Sequence, residues 1–191
     1  MILPIVAYGV STLKKSGVAV SPNNHELSSL IHNMWQTLDY ADGVGLAAPQ
    51  INKNWNLFIV DSTKVYRNLP AHEANKHPDA PGIRRVFINA SILHYSERKT
   101  KAEEGCLSIP DVFILVERAY AITIRYVDEF FCEKTETFYG HTARMIQHEY
   151  DHTKGKLHID YLAPLQRILL KSRLESIRKG RRRAAYPMLF A

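Results

Sequence analysis

Gln147-His148-Glu149-Tyr150-Asp151-His152 constrains this chain more than any other stretch. It contains His-Glu-x-x-His, and on a helix positions i and i+4 lie on one face about 5–6 Å apart. Two imidazoles so placed can share one metal ion, with the adjacent glutamate within reach of water at that ion. Metal-bound water gives up a proton far more readily than free water, and a neighbouring carboxylate can relay it. The five letters alone suit a solvated helix face or a core pair as well as they suit a metal site. Apolar Met145 and Ile146 precede them and Gly155 follows, where a helix can stop; together they predict a motif helix from about Thr142 to Thr153.

The rest of the chain must carry that helix. Its 191 residues are enough for one domain with a real core, and 46% hydrophobic with 23% charged residues is the balance of a water-soluble globule. Two cysteines, Cys106 and Cys132, are too few for a disulfide scaffold and suit a reducing compartment. The apolar start, Met1 to Val6, is short, lacks a basic flank and is broken by Pro4, so it does not read as a signal peptide. No stretch approaches the roughly 18 apolar residues of a membrane span. The expectation is a cytoplasmic protein that does not enter a membrane. The net charge of +6 is concentrated near the end, in Arg178, Lys179, Arg181, Arg182 and Arg183. Such a cluster serves as a solvated face or tail, or meets a polyanion such as RNA.

In chain order, Leu27, Leu30, Ile31, Met34, Trp35 and Leu38 repeat with helical spacing. Asn23 or Asn24 can cap that helix and Gly43 can end it. Gly43-Val44-Gly45-Leu46-Ala47-Ala48-Pro49-Gln50 is a close-approach loop, its small residues letting another part of the chain come near. Read alone, it is a tight turn with Gln50 in solvent; alternatively, the Gln50 amide donates to a developing oxyanion. Leu57 to Val60 and Val86 to Ile88 read as strands. Residues 62–82, with Pro70, Pro78, Pro81 and Gly82, form a polar surface excursion whose His72 and His77 are solvated. Residues 94–103 are charged and loop-like. Ile114 to Val116 and Tyr120 to Val127 read as strands, the second pairing with one near 131–138 that carries Cys132 as a structural residue. Pro164 opens a last helix whose Leu165, Ile168, Leu169, Leu174 and Ile177 face inward. The economical reading is one α+β domain, with mostly antiparallel strands around a central motif-bearing helix and a C-terminal helix.

A catalytic metal needs three protein ligands and one open position. His148 and His152 supply two, and two residues compete for the third. His158 completes His-Glu-x-x-His-x-x-Gly-x-x-His, the pattern of metzincin endopeptidases, but the only methionine after it, Met188, lies at the chain end. Cys106, in Glu104-Gly105-Cys106-Leu107-Ser108, is the other; a lone cysteine is otherwise most often a buried thiol. Ser108 reads as a turn hydroxyl.

Three stretches together, Gly43 to Gln50, Glu104 to Ser108 and Gln147 to His152, resemble the signature motifs of peptide deformylase in order and spacing. The resemblance extends to Pro4-Ile5…Tyr8-Gly9 and to Gly155-x-Leu157-x-x-Asp160, and so covers nearly the whole chain. It implies that Cys106, His148 and His152 bind the metal, that Glu149 is the general acid/base, and that Gln50 and the Leu107 N–H stabilise the oxyanion. Val44, Gly45, Leu46, His141 and Met145 would hold an extended peptide and its methionine side chain. Asp151, Glu104 and Arg118 would orient the ligands through hydrogen bonds. The implied activity is removal of the formyl group from N-formylmethionyl nascent chains with release of formate, a step of N-terminal methionine processing in protein biosynthesis. The implied metal is Fe²⁺, with Zn²⁺, Ni²⁺ and Co²⁺ as alternatives that the ligand set also accepts.

The chain departs from the family pattern at Thr153, His158 and His141 and in the length of 62–82. His141 stands where relatives place an apolar residue in the methionine pocket. A basic helix over 164–183 resembles the segment with which bacterial relatives dock on the ribosome. Truncation after Ser176 is therefore expected to weaken ribosome binding while sparing hydrolysis of short peptides. The unit is expected to be a monomer, one catalytic domain spanning 1–191.

Overall fold

The computed structural model describes residues 1–74 and 76–191; within the 62–82 excursion, Asn75 lies outside the described residues. In chain order the elements are β1 (Ile5–Val6), α1 (Leu27–Tyr40), β2 (Gly45–Ala47), β3 (Leu57–Asp61), α2 (Thr63–Arg67), α3 (Ala71–Ala74), β4 (Arg84–Tyr95), β5 (Lys99–Cys106) and β6 (Ile109–Ala119). They continue with β7 (Ala121–Val127), β8 (Glu133–Tyr139), α4 (Gly140–Thr153), α5 (Pro164–Arg178) and β9 (Met188–Leu189). Strands β2-β3-β4-β7-β8 form an antiparallel sheet, β5 and β6 an antiparallel hairpin, and the chain ends meet in the parallel pair β1-β9. The expected α+β architecture around the motif helix is observed.

Strand β3 explains how the layers assemble. Leu57 and Ile59 face one side and pack with Leu30, Met34 and Leu38 of α1; Phe58 and Val60 face the other and pack with Ala143 and Ile146 of α4. Burial on both faces is why this strand reads as an unbroken apolar run. A separate core gathers Val112, Ile114 and Val116 of β6 with Leu157, Ile159, Leu174 and Ile177. Helix α4 thus lies between the large sheet and the β5-β6 hairpin.

Both helix stops are Schellman motifs. After α4, the Gly155 N–H donates to the His152 carbonyl (3.1 Å) and the Lys156 N–H to that of Asp151 (2.9 Å), with Gly155 at φ +70°. A Cβ there would fall 2.7 Å from the Lys14 carbonyl group, so this glycine is needed for both its φ and its space. After α1 the left-handed residue is Asp42 (φ 50°) rather than the expected Gly43, which instead donates to Leu38 O (3.0 Å). At the start of α1, Asn24 accepts the Glu26 N–H at 3.0 Å, so it acts just outside the helix.

Two expectations are corrected. Residues 94–103 are not a loop: β4 runs to Tyr95, and β5 pairs with β6 from Lys99↔Ala119 to Cys106↔Ile109. Lys99, Lys101 and Glu103 point to solvent, and both lysines face Glu117, at 3.8 and 3.7 Å. Charge on the outer face masked the strand, whose partner β6 carries the buried alternation. The inward stripe assigned to the last helix is only half right. Leu174 and Ile177 are buried, whereas Leu165, Ile168 and Leu169 are 69%, 65% and 77% exposed. Only the second half of α5 reaches the β6 core. The helix ends at Arg178, so Arg181, Arg182 and Arg183 lie beyond it rather than on a helix reaching 183. Cys132 sits exposed in the β7-β8 turn, where its backbone bonds Asp128, so it is not the buried structural residue expected. Among the described residues no helix is long and apolar enough to cross a membrane.

Candidate metal centre and active site

His148 and His152 stack one turn apart on α4, with ring centroids 5.1 Å apart, and both are buried. At the end of β5, the register shifts between Glu104 and Cys106 and turns the thiol toward them. Cys106 Sγ lies 3.3 Å from His152 Nε2, and the donor atoms of Cys106, His148 and His152 lie within 4.8 Å of one another. The structure therefore brings Cys106 to the histidine pair.

His158 does not join this group, and the three-histidine arrangement is not formed. Its ring is buried 5.8 Å from that of His148, and its Nε2 donates to the Val112 carbonyl at 3.3 Å. Its Nδ1 has no hydrogen-bond partner among the described residues.

Glu104 anchors the other side of the site. The His148 Nδ1–H donates to its Oε2 at 2.9 Å, which leaves Nε2 as the free lone pair. Arg118 makes a two-pronged bond to the same carboxylate (2.6 and 2.8 Å), and Arg144 donates to Oε1 at 2.7 Å. Arg118 also donates to Asp151 at 2.8 Å, and the Tyr161 hydroxyl joins it there at 2.8 Å. Burial opposes ionisation of Glu104, but His148 and the Arg118 guanidinium hold its carboxyl well below the usual range. Arg144 is one turn before His148 on the same helix face; its partners on β5 and β6 could not be read from the sequence.

The charges favour a cation. Burial opposes ionisation of Cys106, yet His152, with help from His148 and His158, holds the thiol well below its ordinary range. A thiolate and two imidazoles, one oriented by a carboxylate, form a donor set that fits a divalent transition metal. Burial pushes Glu149 up to about 7 against the pull of His148 and His152, and its Oε2 has no hydrogen-bond partner among the described residues.

Gly45 gives that carboxylate its room. A Cβ on Gly45 would lie 2.5 Å from Glu149 Oε1, so the close approach read from the loop is to this side chain. The same loop turns through Ala48 to Ile51 and buries Gln50, so of the two readings of the loop the solvated amide is set aside. The Ala47 N–H binds Gln50 Oε1 at 2.8 Å and thereby turns Nε2 toward Cys106 Sγ (3.6 Å) and Ser108 Oγ (3.4 Å). Ser108 lies in the turn after β5, as expected, and its hydroxyl is fully buried against Gln50.

Gly45, Gln50, Cys106, His148 and Glu149 line a cleft of about 720 Å³ that also includes Val44, Leu107, His141 and Met145. Strand β2 borders it as an edge strand, leaving one backbone edge unpaired within the sheet. Leu46 is the exception among the expected peptide contacts: its side chain is fully buried in the α1 core. Alternation along β2 turns it away from the cleft. His141 packs 5.1 Å from the ring of His77 and 6.2 Å from that of Tyr66, so His77 is half-buried and not solvated as expected; His72 is exposed. Burial, His77 and Arg144 hold the His141 imidazole low, which keeps this wall neutral. The far end of the chain also reaches the cleft, through Arg183 and Tyr186. No local pattern marks Tyr186, because its position depends on pairing between the two chain ends.

The family model described as polypeptide deformylase matches residues 2–168. A peptide deformylase of Flavobacterium johnsoniae is 44% identical over 193 residues, covering 100% of this chain and 97% of the relative. That of Christiangramia forsetii is 43% identical, covering 100% and 96%. Among solved structures, a peptide deformylase from Legionella pneumophila superposes with a TM-score of 0.79 at 31% identity, covering 95% of this chain and 98% of the other. A class I type b peptide deformylase from Acinetobacter baumannii with Met-Ala-Ser bound gives 0.74 at 34% identity, covering 85% and 99%.

Proposed function

This chain belongs to the polypeptide deformylase family, and from that premise we propose that it hydrolyses the formyl group from N-formylmethionyl chains and releases formate. The observation that carries the proposal is the meeting of Cys106, His148 and His152 beside a buried Glu149.

Cys106, His148 and His152 hold one divalent metal ion, Fe²⁺ in the cell, with Zn²⁺, Ni²⁺ and Co²⁺ also accepted by a donor set of this kind. When bound, the ion supplies Lewis acidity at the reacting centre near neutral pH. Every other task falls to the chain. Glu149, poised at about 7, takes the proton of the attacking water and delivers it to the leaving amine. Gln50 Nε2 and the Leu107 N–H donate to the oxygen of the tetrahedral intermediate; Gln50 is pre-aimed by its bond from Ala47. The Glu104–Arg118–Asp151 network holds His148 in the tautomer that offers Nε2. The free edge of β2 at Val44 and Gly45 pairs with the substrate backbone, with Leu46 contributing backbone only. His141 and Met145 flank the methionine side chain.

The whole chain acts as one catalytic domain, a monomer in the cytoplasm that meets formylated chains at the ribosome. The exposed Leu165, Ile168 and Leu169 on α5 and the basic residues Arg178 to Arg183 support docking there, since a folded chain gains nothing by leaving three large apolar side chains in water.

Anaerobic purification, metal analysis and a formate-release assay on formyl-Met-Ala-Ser test the reading. It requires about one metal per chain and formate release that stops on chelation and returns with Fe²⁺. A metal-loaded chain that releases no formate from this peptide would refute it.

A further inference from the structure

The two ends of the chain meet at the active site. Strand β1 pairs in parallel with β9, with Ile5 opposite Met188 and Val6 opposite Leu189. The Ile5 N–H donates to Pro187 O at 2.9 Å and the Ala7 N–H to Leu189 O at 2.7 Å. Just beyond this ribbon each arm grips the same short segment. The Tyr8 N–H donates to Ser108 O at 2.9 Å, and the Tyr186 hydroxyl donates to Leu107 O at 2.8 Å. From the inside, Gln50 Nε2 bonds Ser108 Oγ at 3.4 Å. The stretch Cys106-Leu107-Ser108 is thus held from three directions, and the outermost hold comes from a residue 79 positions away in sequence.

A tight turn leads the chain from α5 to this contact. Gly180, at φ +68°, turns the chain back after the helix, and Phe190 packs where a Cβ on Gly180 would press at 3.2 Å. The Arg183 Nε donates to Gly180 O at 3.0 Å and closes the turn. Arg183 and Tyr186 then border the cleft, with Tyr186 half-buried against the α1 core. A phenol is a dependable donor at neutral pH, and a half-buried one that bonds a single carbonyl fixes the orientation of that peptide group.

We propose that the C-terminal strap, residues 181–187, belongs to the catalytic apparatus, and that Tyr186 is a positioning residue that orients the Leu107 segment facing the reacting carbonyl. The inference rests on the deformylase reading, in which the Leu107 N–H stabilises the oxyanion. It also changes the expectation for truncation after Ser176. Such a truncation removes β9 and Tyr186 together with the basic residues Arg178 to Arg183, so it does not spare hydrolysis.

Tyr186→Phe in the full-length, metal-loaded protein tests the proposal, because it removes one oxygen and keeps the ring. Loss of a whole oxyanion donor costs about 10²–10³ in rate, and loosening one is expected to lower kcat about tenfold with KM within about twofold. Metal content is expected to be unchanged, and hydrogen exchange at the Leu107 and Ser108 amides faster than in the wild type. A kcat within twofold of wild type, or a change confined to KM, would overturn the positioning role. If the wild-type protein itself releases no formate, the functional reading fails, and the exchange measurement still decides this inference: faster exchange at Leu107 and Ser108 supports it, and unchanged exchange overturns it.

Discussion

Helices α4 and α5 are almost the same length, 14 and 15 residues, yet they break the rules of burial in opposite ways. Helix α4 buries Gln147, His148, Glu149 and His152, polar groups that cost free energy away from water unless each is partnered. Helix α5 leaves Leu165, Ile168 and Leu169 in solvent, side chains that would each contribute roughly 1.5–3 kcal/mol if fully buried. Neither departure helps the fold. Under the proposed function the two departures have separate uses, on α4 for a cation and a substrate and on α5 for a partner. The buried groups of α4 divide further. His148 is satisfied through Glu104, whereas Glu149 Oε2 and His152 Nδ1 have no partner among the described residues.

Substitutions sharpen this contrast in descending order. Glu149→Gln is expected to lower kcat by about 10²–10⁴ with the metal retained, the range for losing a positioned acid/base; metal analysis beside formate release checks it. Gln50→Ala should cost about 10²–10³ in kcat with KM little changed, and near-wild-type turnover would remove Gln50 from the mechanism. Arg118→Ala strips a buried carboxylate of its two-pronged partner and is expected to destabilise the fold by about 3–5 kcal/mol in denaturant unfolding. At the small end, replacing Leu165, Ile168 and Leu169 together with serine should leave formate release unchanged and shift stability by about 1.5 kcal/mol or less, about 0.5 for each position. The same variant should bind ribosomes more weakly, and unchanged affinity would dispose of a docking role for that face.

The contrast also explains what the sequence revealed. Local pattern encodes α1, β3 and α4: an apolar face at helical spacing in α1, a short unbroken apolar run in β3, and a side-chain pair one turn apart in α4. Gly155 was legible because a left-handed helix stop demands glycine, whereas after α1 Asp42 takes that conformation and leaves no such mark. Strand β5 was hidden by charges on its solvent face and became a strand only through β6. Gln50 is placed in the site by the motif resemblance alone: an amide looks solvent-directed until the chain folds its own Ala47 N–H onto it. The ligand set emerged from motif resemblance, not spacing, since nothing local distinguishes Cys106 from His158 as a third donor. Tyr186 was invisible altogether; a contact made by pairing the chain ends has no sequence pattern of its own.

The central claim is that Cys106, and not His158, completes the metal site with the two α4 histidines. Metal content of anaerobically purified Cys106→Ala and His158→Ala, measured beside wild type, tests it most directly. About one metal per chain is expected in wild type and His158→Ala, and none in Cys106→Ala. Metal retained without the thiol but lost without His158 would contradict it.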